Sequence, residues 1–249
     1  MNLIYTVNFN DYDSLKPISY QSSKTDCICV TDRINLKNKT SYRGWRIFYV
    51  NLEYNPINVD RFYKFEPWIL GDYEESIYID SNIHLKENPF SLIRSDIDLA
   101  LFHHQNRRTV QAELDHLRHI EEYGKRDFKI KNWPKEILET CLKENNLFWG
   151  GIIYRRHSNK IITAMIHWKT IYCSGILRDQ ISLPYVISEH NLSLQILTGQ
   201  NSILDRFPHI QKGSIYSMIL SFCSTSNLAM LIFTRFVLPI RRIIKKFIS

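Results

Sequence analysis

Asp80, Ser81 and Asn82 follow a short apolar run, Ile77 to Ile79, that reads as a buried strand. In an extended chain the first and third side chains of such a triplet share one side, so a carboxylate oxygen and an amide oxygen would converge. That pair suits a hard divalent cation, Mg²⁺ or Mn²⁺, with coordination positions left open for a diphosphate. The same triplet also suits a plain turn, because Asp and Asn side chains bond readily to nearby backbone. Arg61 and Lys64 lie one turn apart on one side of a predicted helix, an arrangement fit for phosphates. His103 and His104 end another predicted strand beside Arg107 and Arg108, with Glu113 one turn before His116. His116 and His119 have a metal-capable spacing but fit equally a solvated helix face. Trp149, next to Gly150 and Gly151, could stack on a sugar or fill core.

The elements that must position these residues alternate. "LIYTVNF", "DCICVTD", "GWRIFYVNL", "ESIYID", "DIDLALFHH" and "LFWGGIIYRR" read as strands. "NVDRFYKFEPWIL", "TVQAELDHLRHIEEYG", "WPKEILETCLKENN" and "NKIITAMIHWKTIYCSG" read as helices, with "RDQISLPYVISEH" following at once. Strands alternating with helices predict an α/β fold around one mostly parallel sheet covered on both faces. Ligands of such sheets bind beyond the carboxyl ends of the strands, where Asp32 and Asp80 are expected.

Composition narrows the classes. The chain carries 32 basic and 25 acidic residues, a formal charge of +7, which suits a phosphorylated ligand, anionic lipid or nucleic acid. No recognised nucleic-acid-binding motif accompanies the charge, so a nucleic-acid partner is not expected. The five cysteines, Cys27, Cys29, Cys141, Cys173 and Cys223, are odd in number and lack zinc-site spacing, which predicts free thiols in a reducing compartment. The start "MNLIYTVNFND" has no basic region and too short an apolar run for a signal peptide, so a cytoplasmic location is expected. The densest basic cluster is terminal. Residues 235–249 mix Arg241, Arg242, Lys245 and Lys246 with Ile and Phe, after an uncharged stretch from Ser214 to Thr234. An extension over 211–249 is therefore predicted as an amphipathic helical end, either packed on its own domain or lying on the inner face of the plasma membrane.

Eight segments occur in order between Ile4 and Val186: "IYTVNFNDYDSLKP", "DCICVTD", "GWRIFYVN", "RFYKFEPWIL", "YEESIYIDSNI", "DIDLALFHHQNRRTVQAEL", "IIYRRHSN" and "SGILRDQISLPYV". Together they resemble a glycosyltransferase-like family, long catalogued as a domain of unknown function. It includes plant pectin-building galacturonosyltransferases and bacterial members of surface-polysaccharide clusters. The resemblance implies a GT-A-like domain over residues 1–210, distantly similar to glycogenin-type retaining transferases. It also implies a nucleotide-sugar donor of the UDP class and a divalent metal. Asp80, Ser81 and Asn82 match the family's metal motif, with Asn82 supplying a neutral oxygen where related enzymes have an acid. Tyr5, Thr6, Asn8 and Asp32 fall where such enzymes meet the base and ribose, and Arg61, Lys64, Ser81 and Arg178 where they meet the phosphates. Asp179 and Gln180 match the pair that stands near the anomeric carbon. His104, Arg107, Trp149, Gly150, Gly151, Arg156 and His157 fall on the acceptor side. "FPHIQKG" offers His209 as a third metal ligand, with His157 as its rival.

The resulting expectation is a retaining transferase that moves a sugar from a nucleoside diphosphate to a glycan acceptor such as lipopolysaccharide or capsule. Three other classes stand beside it: a nucleotidyltransferase on the same fold, a degenerate module that binds glycan or a protein partner, and a nucleic-acid binder suggested by charge alone. The first would release pyrophosphate.

Overall fold

The computed structural model describes residues 1–10, 13–20, 22–51, 56–123, 127–198 and 204–206. The predicted extension over 211–249, His209 and Cys223 lie outside the described residues.

Six strands line up in one direction. They are β1 (Asn2–Asn8), β2 (Thr25–Thr31), β4 (Trp45–Tyr49), β5 (Glu75–Ile79), β7 (Leu99–His103) and β9 (Leu194–Ile196). Two strands oppose them: the edge strand β3 (Ser41–Tyr42) and the long β8 (Phe148–Arg156). The order across the sheet is β3-β4-β2-β1-β5-β8-β7-β9. A separate two-stranded ladder joins β6 (Ile83–Leu85) to β10 (Leu204–Arg206), antiparallel. The helices are α1 (Pro56–Phe65), α2 (Val110–Glu122), α3 (Lys135–Cys141), α4 (Asn159–Cys173) and α5 (Asp179–Glu189). Thr109 caps α2 by accepting from the Ala112 N–H, and Ser158 caps α4 by accepting from the Ile161 N–H.

The strands read as apolar runs because both faces are covered. Alternate residues of β1 divide between two cores. Leu3, Tyr5 and Val7 join one cluster, into which α1, α2, α4 and α5 send Phe65, Leu114, Trp168 and Ile181, with α3 at its margin. Ile4 joins the other, with Cys27, Cys29, Trp45 and Ile77. This second core is closed by extended segments, Leu15, Ile18, β6 and β10, and not by the second helical layer expected from sequence. Among the described residues no helix is long and apolar enough to cross a membrane. Cys27, Cys29 and Cys141 are buried free thiols, and burial raises them to about 11, 12 and 12 respectively.

One buried cation ties the helical layer to the sheet. Arg155 on β8 has no solvent exposure. Its Nη1 donates to the Tyr5 hydroxyl at 3.0 Å, its Nη2 to the Lys64 carbonyl at 2.7 Å, and its Nε faces the Met165 sulfur at 3.2 Å. The Tyr5 hydroxyl donates to the same carbonyl at 3.2 Å. Lys64 lies in the last turn of α1, where carbonyls lack intrahelical donors, so a guanidinium there completes the helix end. Tyr5→Phe would strip an acceptor from a buried guanidinium, an expected loss of about 1–3 kcal/mol. The readout is a lower urea midpoint at unchanged m-value.

Candidate functional site

Because six strands point one way, their carboxyl ends share one edge of the sheet, and the antiparallel β8 brings its amino end, Phe148 to Gly151, to the same edge. A polar cluster forms there from four elements. Lys64 Nζ, from α1, donates to Asp179 Oδ2, from α5, at 2.6 Å, with both side chains almost wholly buried. Arg61 Nη1 stands 3.6 Å from the same oxygen. The Lys64 ammonium also lies 4.9 Å from the Tyr78 ring centre, and the Tyr78 hydroxyl donates to Asp80 Oδ1 at 2.9 Å. Tyr78 therefore links Asp80 to the buried lysine.

Gly150 makes this convergence possible. A Cβ at Gly150 would lie 3.1 Å from Lys64 Nζ and 3.6 Å from Asp179 Oδ2 and Gln180 Cγ. A side chain here would press on the lysine end of the ion pair, so the bare backbone suits the close passage of β8. Gln180 is 6% exposed, and its Nε2 donates to the Phe148 carbonyl at 3.2 Å. That bond fixes which end of the amide faces the strand, so Oε1 points away from it. Oε1 is buried with no partner among the described residues. Pro184, inside α5, withholds the N–H that would have reached the Gln180 carbonyl.

The charges are set by mutual proximity. Burial raises the Asp179 carboxyl, but Arg61, Lys64 and Arg178, with the Lys64 hydrogen bond, overcome this and hold it far below the usual carboxylate range. Burial and Arg61 bring the Lys64 ammonium down, while Asp179 and Asp80 support it. Arg178 binds Glu113 Oε1 through Nε and Nη2, both at 2.8 Å. Glu113 Oε2 accepts from Arg107 Nε, and His104 Nδ1 accepts from the Asn106 and Arg107 backbone N–H groups. At the neighbouring strand ends, Asp32 accepts from the Asn10 N–H at 2.9 Å, and Asn8 Oδ1 accepts from Arg33 at 3.3 Å. The structure thus brings Asn8, Asp32, Arg61, Lys64, Asp80, His104, Arg107, Gly150, Arg178, Asp179 and Gln180 to one edge. Glu113, noticed in the sequence only through its spacing to His116, proves to be fully buried within the cluster.

Other expectations are corrected. Asp80, Ser81 and Asn82 form a turn, closed by the Ile83 N–H donating to the Asp80 carbonyl at 3.0 Å, and not an extended triplet. Asn82 is 1% exposed, so its amide does not stand beside Asp80 at the surface. The Ser81 carbonyl accepts from the Lys16 N–H at 3.0 Å, and the residue is buried. Tyr5 and Thr6 sit in mid-strand with no exposure, beneath the carboxyl edge of the sheet. Trp149 packs on Phe102 and folds over Gly151, whose Cβ would meet the indole at 2.4 Å, so it is core and not a sugar platform. Arg155, another basic residue suited by type to phosphate, is the buried guanidinium described above.

Arg156 and His157 lie at the opposite end of the sheet, because β8 runs antiparallel to β5. Arg156 pairs with Glu75, the first residue of β5, and donates to the Ser95 carbonyl. His157 Nε2 meets Ser76 Oγ at 2.8 Å.

A divalent cation fits this edge only in one form. Among the described residues no three His, Cys, Asp or Glu side chains gather as a ligand set. Asp80 is half-buried and is the carboxylate that the metal-motif segment offers. That suits a cation held by one carboxylate and chiefly by substrate phosphates.

Two expectations follow. Gly150→Ala presses a methyl against a lysine pinned at 2.6 Å, so unfolding free energy should fall by about 1–3 kcal/mol. Urea titrations should find this change non-additive with Lys64→Met, since both act on one contact. At the far end, burial and the Arg155 charge bring His157 down from 6.5 to about 4. Between those values the unfolded chain binds the extra proton, so stability falls as pH drops. The loss should approach about 3 kcal/mol at pH 4 and be largely absent in His157→Gln, measured by urea titration across that range.

No protein-family profile matches the chain and no curated protein matches it, so any assignment rests on the geometry of this edge.

Proposed function

We propose that this protein is a glycosyltransferase with a GT-A-like fold, taking a nucleoside-diphosphate sugar of the UDP class and passing the sugar to a glycan acceptor such as lipopolysaccharide or capsule. The observation that carries the reading is the meeting of Lys64, Asp179, Gln180 and Gly150 beside Asp80 at the carboxyl edge of the sheet. Ligands of open α/β sheets bind at this edge. The ordered resemblance of segments from Ile4 to Val186 supports the same reading.

The chemistry follows from charge. As the bond between the anomeric carbon and the phosphate oxygen breaks, positive charge grows on the sugar and negative charge on the departing diphosphate. Arg61, Lys64 and Arg178 supply fixed cations for the diphosphate without reorganising at the moment of reaction. The ionised Asp179 and the unpartnered Gln180 Oε1 supply negative potential for the sugar. Asp80 would hold a Mg²⁺ or Mn²⁺ ion, which supplies Lewis-acid neutralisation of the diphosphate. Asp32, partly exposed at the end of β2, would meet the base or ribose, while the buried Asn8 would act only by holding Arg33 and the Asp13 carbonyl beside it.

The test is a panel of nucleotide sugars scored by melting temperature with and without Mn²⁺, on wild type, Asp80→Ala and Gln180→Ala. One donor should raise the melting temperature, by an amount equivalent to about 2.7 kcal/mol at a hundredfold excess over Kd. Asp80→Ala should remove the part of the shift that depends on Mn²⁺. Gln180→Ala should keep donor binding and lower kcat. A flat response to every donor overturns the reading, and release of pyrophosphate in place of a nucleoside diphosphate would assign nucleotidyl transfer.

A further inference from the structure

Glu113 is the most deeply buried acid of the polar cluster. It lies in the first turn of α2 and has no exposed surface. Both of its oxygens are used: Oε1 by Arg178 Nε and Nη2, and Oε2 by Arg107 Nε. Taking a carboxylate out of water costs several kcal/mol, and well-packed apolar groups often serve stability as well as a buried ion pair does. What such a pair can supply instead is orientation of the groups beside it.

What it orients is adjacent in the chain. Arg178 is the residue before Asp179 and forms the amino-terminal boundary of α5, where its own side chain makes no capping bond. Its guanidinium is turned to Glu113 and its carbonyl accepts from the Ile181 N–H at 3.0 Å. A residue held at both its side chain and its carbonyl leaves its neighbour little freedom. Asp179 is then fixed from the other side by the Trp168 indole N–H, which donates to its carbonyl at 3.0 Å, and by Lys64.

We propose that Glu113 is a positioning residue, which through Arg178 sets where Asp179 and the first turn of α5 stand against Lys64 and Gly150. The kinetic part of the test rests on the transfer reading above, and the spectroscopic part does not.

The Trp168 indole N–H is a built-in probe, because it bonds to Asp179 itself. The chain has five tryptophans, so ¹H–¹⁵N spectra show few indole signals, and Trp168→Phe assigns the relevant one. Glu113→Gln keeps the shape and loses the charge. Glu113→Asp keeps the charge and shortens the reach. The Trp168 signal should move in Glu113→Gln and lie between the two positions in Glu113→Asp. With an identified donor, kcat should fall about ten- to a hundredfold in Glu113→Gln, while KM for that donor stays within about threefold. An unmoved Trp168 signal, with a lowered urea midpoint as the sole effect, overturns the proposal and makes Glu113 a core residue. Failure of both variants to fold overturns it in the same way. If wild type turns over no donor, the transfer reading falls, and the indole shift still decides the role of Glu113.

Discussion

A lysine and an aspartate, 2.6 Å apart and both almost wholly removed from water, are the contact on which the polar cluster depends. They come from α1 and α5, and neither charge is tolerable in that place alone. Removing one partner of such a pair strands the other at about 3–5 kcal/mol. The surrounding groups follow from that constraint. Gly150 gives up its side chain so that β8 can approach, Tyr78 presents its ring to the ammonium, and Arg61 and Arg178 add positive charge around one carboxylate. Arg178 is in turn balanced by Glu113 and Lys64 is supported by Asp80, so acids and bases alternate through the site without any acid being left unopposed.

The two ends of β8 do different work. Its amino end supplies Gly150, which lies against the Lys64–Asp179 pair. Its carboxyl end places Arg155 under the last turn of α1 and His157 against Ser76. Since Arg155 holds the Lys64 carbonyl while Gly150 lies against the Lys64 ammonium, a single strand grips that residue at its backbone and at its side-chain tip. The position of the lysine is therefore set by β8 as much as by α1.

Most elements were legible because their periodicity is local. The run Leu3 to Phe9, the helix opened by Thr109 and the helix opened by Ser158 each carry their own signal. Asp179 and Gln180 stood out only by resemblance to a family motif, and nothing local in the sequence shows that Asp179 meets Arg61 and Lys64. Strand direction was not legible, because apolar runs look alike whether parallel or antiparallel. That one ambiguity moved Arg156 and His157 to the wrong end of the sheet. Asp80, Ser81 and Asn82 suit an extended pair and a turn alike in the sequence, because side-chain type does not reveal the backbone bond that closes a turn. Trp149 resembled a sugar platform until Gly151 was seen beneath it. The burial of Arg155 and Glu113 was not legible, because it rests on partners distant in the chain.

The pairing of β6 with β10 bears on how the chain is made. The parallel ladder of β1, β2 and β4 is complete once the first fifty residues have formed their strands. The second core closes differently, because Leu85 waits for Leu204 and β7 waits for Leu194 to Ile196 before its outer edge is covered. During synthesis a nascent chain would carry the exposed rims of β6 and β7 until almost all of the described residues had left the ribosome. Non-local pairings of this kind are slow and leave hydrophobic strands open to wrong partners. The residues of the polar edge, up to Gln180, therefore all precede in the chain the strands that seal the sheet beside it.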